Sequence, residues 1–264
     1  MTEASPIGGL LRDWRQRRRM SQLDLALEAD ISTKHLSFVE TGRAAPSREM
    51  LLRLCEHLDV PLRERNTLLV SAGFAPVFPE RALNDPALDQ VRQAIDKILA
   101  GHEPYPALAI DRHWHMVAAN RMVAPLLAGA DAALLKPPVN VLRLSLHPQG
   151  LASRTANYTE WRAHLLARLK RQIDISADAK LSALHAELAA YPPPPGIPAR
   201  RPPERPADSL AVPLQFSTEA GLLSFYSTTM MFGTPVDITL AELAIEAFFP
   251  ADAETAEILR RLAG

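Results

Sequence analysis

Five arginines, Arg12, Arg15, Arg17, Arg18 and Arg19, fall within eight residues, and Lys34, Arg43 and Arg48 follow before residue 50. Guanidinium groups at this density are bidentate donors for phosphate oxygens, which is the chemistry of polyanion recognition. Thr33, Lys34, Ser37 and Phe38 add hydroxyls, an ammonium group and a ring over six residues. An ammonium suits the acceptors of guanine, and an aromatic ring can meet a thymine methyl. Two plainer readings stand beside this one: the arginine run as a solvated helix face, and Phe38 as a core residue.

Other constellations are sparse. The sequence has no Walker-type loop, no Gly-x-Ser-x-Gly elbow, no His-Glu-x-x-His and no dinucleotide-binding glycine fingerprint, so no enzyme, catalytic residue or cofactor is expected. His113 and His115 would share a strand face, and Glu160 and His164 lie one helical turn apart. Neither pair has a third ligand by spacing, so no metal is expected. Cys55 is the only cysteine, which excludes an internal disulfide and a cysteine zinc cluster and fits a reducing compartment. Lys and Arg number 29 against 30 Asp and Glu, a net charge of -1, so any basic footprint has to be local. Residues 1–75 hold 11 basic and 10 acidic side chains, so that footprint must arise by segregation onto one face. With 47% hydrophobic residues and no apolar run of roughly the 18 residues a membrane span needs, the expectation is a soluble, cytoplasmic protein without a membrane partner.

The elements that must position these residues are short helices. Residues 7–72 read as five. Ile7 to Arg18 is the first; Ser21 caps the second, which buries Leu23, Leu25 or Ala26, and Leu27. Ser32 caps a third from Thr33 to Thr41, closed by Gly42, with Leu36 and Val39 inward. Ser47 caps the fourth, and Pro61 starts the fifth. Two short helices and a tight turn inside such a unit have helix-turn-helix geometry. The segments Met20-Ser21-Gln22-Leu23-Asp24-Leu25-Ala26 and Ile31 to Ser47 resemble the XRE, or lambda-repressor-like, helix-turn-helix family. The resemblance implies that Gln22 contacts DNA, that Thr33, Lys34, Ser37 and Phe38 face the major groove, and that Arg43 and Arg48 hold phosphates. Arg17, Arg18 and Ser32 complete the expected contact set. His35 and Phe38 stand where the family often has a small residue and a polar reader.

Proline divides the rest: four of the 23 fall in the first 76 residues, and eight lie between Pro192 and Pro206. Residues 1–75 read as an all-α DNA-binding domain, 76–84 as a linker, and 85–264 as a second domain. Asp85 and Pro86 start a helix with Leu88, Val91, Ile95, Ile98 and Leu99 on one stripe. Short strands at Leu108–Ile110 and Met116–Ala118 flank a turn at Asp111-Arg112-His113. Helices follow at Tyr158–Ile173 and Ala179–Leu188, then an extended proline loop. Strands then run from Leu210 to Phe216, from Leu223 to Met231, and from Leu243 to Phe249. Asp252 caps a last helix with Ala256, Ile258, Leu259 and Leu262 inward. This is an α+β domain with about five antiparallel strands. Residues 107–120 and 245–252 resemble the start and end of the MmyB-like ligand-binding domain, a family that joins an XRE helix-turn-helix to a PAS-like sensor.

That resemblance implies a five-stranded antiparallel sheet around an apolar cavity for a fatty-acyl or similar ligand. Trp114, Met122, Leu126, Trp161, Leu165, Phe216, Phe225 and Met231 are the expected lining, although large apolar and methionine side chains also fill cores. The combined expectation is a transcription regulator, repression being the expected sign. It would bind a double-stranded DNA operator as a homodimer and respond to a hydrophobic effector such as a fatty acid. The alternative is a DNA-binding regulator whose second domain only dimerises.

Overall fold

Serine placement sets the start of three N-terminal helices. In the computed structural model, which describes residues 6–195 and 211–263, the elements are α1 (Pro6–Arg17), α2 (Gln22–Glu28), α3 (Thr33–Glu40), α4 (Arg48–His57) and α5 (Leu62–Ser71). Ser21 Oγ accepts from the Asp24 amide at 3.1 Å while Asp24 Oδ2 accepts from the Ser21 amide at 3.0 Å, a reciprocal capping box. Ser32 accepts from the His35 amide at 3.1 Å and Ser47 from the Met50 amide at 3.2 Å. Each such cap is worth about 1 kcal/mol. Asp30, at φ +51°, turns the chain between α2 and α3.

One core closes this region: Ile7, Leu11 and Trp14 meet Leu25, Ala26, Leu36, Val39, Leu51, Leu54, Leu58 and Leu69. Gly8 lets α1 touch α3, because a Cβ there would lie 2.5 Å from the Val39 carbonyl oxygen and 2.6 Å from that of Glu40. The expectation for α2 needs correction. Leu25 and Ala26 are buried, but Leu23 is 65% and Leu27 79% exposed. Leucines two apart cannot share one face of a helix that turns every 3.6 residues, so one phase wins. Two compact units emerge. The first contains the chain to Arg81 together with Asp174–Ser176 and Pro235–Ala241. The last of these segments includes α11 (Ile238–Ala241), and its buried Asp237 accepts from Arg81 Nη1 at 2.8 Å.

The second unit holds a five-stranded, wholly antiparallel sheet of order β2-β1-β5-β4-β3, as the PAS-like expectation requires. Its strands are β1 (Ala107–Ile110), β2 (Met116–Ala119), β3 (Leu214–Thr218), β4 (Gly221–Met231) and β5 (Ala244–Pro250). Side chains of β1 and β5 alternate between two covered faces. Ala107, Ala109, Ile245 and Ala247 pack with Ile95 and Leu99 of α6 (Asp89–Gly101). Leu108 and Ile110 face the opposite way, into a cluster with α8 (Val141–Leu146), α9 (Tyr158–Ser176) and α10 (Ala179–Ala190). A third cluster joins Met122, Phe216, Leu223 and Phe225 to Ile258 and Leu259 of α12 (Ala253–Ala263).

Several expectations shift here. A 3-10 turn at Pro86–Leu88, capped by Asp85, precedes α6. The short α7 (Val123–Leu127), α8 and α11 are absent from the sequence reading, because four to six residues carry too little periodicity to register. Leu262 is half exposed, whereas Thr255 is buried and its Oγ1 accepts from the Ser224 amide at 2.9 Å. The expected strand start at Leu210 and residues 196–206 of the proline loop lie outside the described residues. Among the described residues, no helix is long and apolar enough to cross a membrane.

Candidate nucleic-acid interface and ligand cavity

The first residues of α3 leave the core and reach the surface. Leu36, Val39 and Glu40 take its buried face, so Lys34 is exposed and Thr33, Ser37 and Phe38 are partly exposed. Phe38 is therefore not a core residue. Lys34 Nζ sits 5.7 Å and Arg43 Cζ 5.8 Å from its ring centroid, so two cations flank one surface ring. The Arg43 amide donates to the Phe38 carbonyl at 2.8 Å, which fixes the turn that brings Arg43 back. Arg48 is exposed in the first turn of α4, and Ser32 is occupied as the α3 cap.

The arginine run divides into two roles. Arg15 is buried and pairs bidentately with Glu40, Nε to Oε1 at 2.6 Å and Nη2 to Oε2 at 2.9 Å. Its Nη1 donates to the Met20 carbonyl at 2.9 Å. Arg12 Nε lies 3.6 Å from the same carboxylate, and Gln22 Nε2 donates to Glu40 Oε2 at 2.7 Å. Burial alone would push the Glu40 carboxyl up, but the Arg15 and Gln22 hydrogen bonds and the charges of Arg15 and Arg12 hold it below its ordinary range. Arg18 donates to the Leu58 and Asp59 carbonyls, both at 2.8 Å, closing the end of α4. Arg17 and Arg19 are exposed. The arginine run is thus not one free patch: Arg15 is a tie between α1 and α3, and Arg12, Arg18 and Gln22 have partners within the fold.

In the second unit, a cavity of about 100 Å³ lies between the sheet and α8 and α9. Its walls are nearly all apolar: Leu108, Trp114 and Met116 from the β1–β2 hairpin, Val123 and Leu127, Leu142 and Leu144, Trp161 and Leu165, Leu214 and Phe248. Of the expected lining, Trp114, Trp161 and Leu165 are present. Met122, Phe216 and Phe225 sit in the α12 cluster, with Leu126 packed against it, and Met231 is 66% exposed. Sequence reading missed Arg168 and Glu246, which also face the cavity. Arg168 Nη1 donates to Glu246 Oε2 at 2.9 Å, its Nη2 donates to Thr229 Oγ1 at 2.7 Å, and its Cζ lies 4.6 Å from the Trp114 ring centroid. The available signal was an acidic residue inside an apolar strand: both faces of central β5 are covered, so Glu246 has no solvent side.

Trp114, at φ +67°, turns the β1–β2 hairpin under the control of Asp111, whose Oδ1 accepts from the His113 and His115 amides, each at 2.8 Å. His115 Nδ1 lies 2.9 Å from Asp111 Oδ2, and His113 Nε2 lies 2.8 Å from Asp178 Oδ2. The third group that spacing failed to supply for this histidine pair is Asp111, with one ligand atom from each of the three within 4.8 Å. His164 stacks on Trp161 at 5.3 Å.

A helix-turn-helix family model matches residues 11–65, and the model for the MmyB-like transcription regulator ligand binding domain matches residues 91–262. Among solved structures, two of the clp gene regulator ClgR from Corynebacterium glutamicum are similar. One is 28% identical, covers 26% of this chain and 86% of that one, and has a TM-score of 0.23. The other is 23% identical, covers 38% and 93%, and has a TM-score of 0.24. An RNA-binding light-oxygen-voltage receptor is 13% identical over 97% of this chain and 62% of that one, again with a TM-score of 0.24. At these scores none of the three carries an argument. A search of the curated proteins gave no match. The helix-turn-helix match and a ligand-domain match spanning more than half of the chain settle the assignment: the protein belongs to the MmyB-like transcription regulators.

Proposed function

We propose that the protein is a cytoplasmic one-component repressor that binds an operator as a homodimer and changes its DNA affinity when an apolar small molecule, fatty-acyl compounds included, enters the second unit. The observation that carries this reading is the apolar cavity of about 100 Å³ with two tryptophans in its wall. An engineered apolar cavity of about 150 Å³ accepts benzene, so this one, at about two-thirds of that volume, is the start of a ligand site that a ring or an acyl chain enlarges on entry. A longer ligand has to part α8 and α9 from the sheet, and such a ligand favours the opened form by its differential affinity. A solid dimerisation domain has no need of that space, which weighs against the purely structural alternative.

Lys34, Phe38 and Arg43 are the proposed centre of the DNA contact, with Thr33 and Ser37 reading base edges and Arg17 and Arg48 on phosphates. Gln22 and Arg18 are peripheral because their partners are internal. Fluorescence anisotropy of the full chain, on duplexes recovered by in vitro selection, tests both halves of the proposal. Lys34→Ala and Arg43→Ala should each weaken binding, and at least one lipophilic compound from a broad panel should shift the affinity of the unaltered chain. Affinity unchanged by the whole panel would refute sensing, and undiminished binding by both variants would refute the DNA face.

A further inference from the structure

We propose that the cavity selects ligands whose polar end is uncharged and that Glu246 sets this selectivity. The proposal rests on the sensing role argued above and narrows the fatty-acyl ligands named there to those with an uncharged end, such as alcohols, esters and amides, against free carboxylates. Arg168 and Glu246 are the only charged residues in the cavity wall among the described residues, and each satisfies the other. Glu246, 4% exposed, takes both guanidinium nitrogens of Arg168, and Thr229 Oγ1 lies 3.0 Å from its Oε1. Trp114 covers the guanidinium from one side.

A carboxylate entering this space meets a guanidinium whose two terminal nitrogens already serve a carboxylate. To reach Arg168 it must displace Glu246, leaving a buried acid without its partner, and the loss of one member of a buried pair is far costlier than the absence of both. An ammonium ligand meets the mirror-image obstacle, since Glu246 is occupied and Arg168 repels it. A hydroxyl, ketone or amide needs neither exchange. A hydroxyl or amide N–H can donate to the pair's remaining lone pairs, and a ketone or amide oxygen can accept from the hydroxyls of Ser145 and Ser227, which also line the wall.

Matched probes test this on the full-length chain: benzyl alcohol against benzoate, and 1-octanol against octanoate, followed by calorimetric titration at neutral pH. The alcohol of each pair should bind about tenfold more tightly or better. Glu246→Gln, checked for a native circular dichroism spectrum, frees the Arg168 charge and should invert the order in favour of the carboxylates. Equal or tighter binding of the carboxylates by the unaltered chain overturns the selectivity while leaving sensing intact. An alcohol preference that persists in a natively folded Glu246→Gln chain overturns the role of Glu246, since desolvation of the anion alone would then explain it. Binding of none of the four probes overturns the selectivity, while sensing stands or falls on the broader panel.

Discussion

Replacing Arg15 by methionine keeps most of the aliphatic stem and removes the guanidinium, so the perturbation falls on one buried ion pair. Glu40 then remains with no side-chain exposure and without the two hydrogen bonds at 2.6 and 2.9 Å. Loss of one partner of a buried pair costs about 3–5 kcal/mol. Gln22 still donates to the carboxylate at 2.7 Å and Arg12 still attracts it from 3.6 Å, which places Arg15→Met near the lower end, about 3 kcal/mol. For a unit of this size that is about 12–24 °C in Tm. Removing both charges in Arg15→Met/Glu40→Leu eliminates the stranded acid and should recover most of the loss.

The pH dependence has a definite sign. Glu40 titrates below its ordinary value of 4.5 in the folded chain, so its contribution to stability is present above about pH 4.5 and disappears as pH falls through the folded-state value. The difference between Arg15→Met and the unaltered chain should therefore shrink in acid. Peptide-resolved hydrogen exchange separates the two units, and the loss of protection should concentrate in α1 and α3. A loss below about 1 kcal/mol at neutral pH would refute the assignment of Arg15 as a structural tie, because that is the range of an exposed pair.

Gly8→Ala should destabilise the first unit by about 1–3 kcal/mol, since its Cβ meets backbone oxygens of α3 that cannot turn aside; a thermal melt equal to the unaltered chain would show that α1 and α3 do not approach this closely. Each of Lys34→Ala and Arg43→Ala, if it removes a phosphate contact, should reduce the slope of log affinity against log salt by about 1, an effect read by titration at several ionic strengths. A change in affinity at unaltered slope would move that residue from phosphate to base. Cys55 is buried in the first core, and desolvation pushes its thiol up to about 12. The folded chain should therefore resist thiol reagents at pH 8 and react only after denaturant is added.

Legibility followed the length of the signal. Ser21, Ser32 and Ser47 each announce a helix through a local hydrogen bond from the amide three residues on, so the starts of α2, α3 and α4 were readable to the residue. β5 was readable as a strand for the same reason, although both its faces are covered at Ile245, Glu246 and Ala247 and Phe249 is exposed. What could not be read depends on partners remote in sequence. Arg15 and Glu40 are 25 residues apart, Arg168 and Glu246 are 78 apart, and Arg81 and Asp237 are 156 apart. Composition registers these side chains as charges, and only the fold shows that they neutralise one another. The pocket followed the same rule: Trp161 and Leu165 share a helix face one turn apart, but whether Phe216 lines space or fills it depends on α12, which the strand pattern does not mention.

Pairing changes what the near-neutral charge means for DNA binding. Of the eight cations that stand out in the first 50 residues, Arg15 is consumed by Glu40, Arg12 leans on the same carboxylate, and Arg18 closes α4. Arg17, Arg19, Lys34, Arg43 and Arg48 remain exposed. At about 0.9 released counterions per phosphate neutralised, five cations bound the salt slope at roughly -4.5 per protomer. One such set of contacts would hold DNA weakly at physiological salt, and the proposed homodimer would double it. The proposed ligand control would gain its leverage from the same arithmetic. With so few phosphate contacts on each reading head of that proposed dimer, a change that prevents both from engaging at once would remove about half of the electrostatic attraction, without any change in the heads themselves.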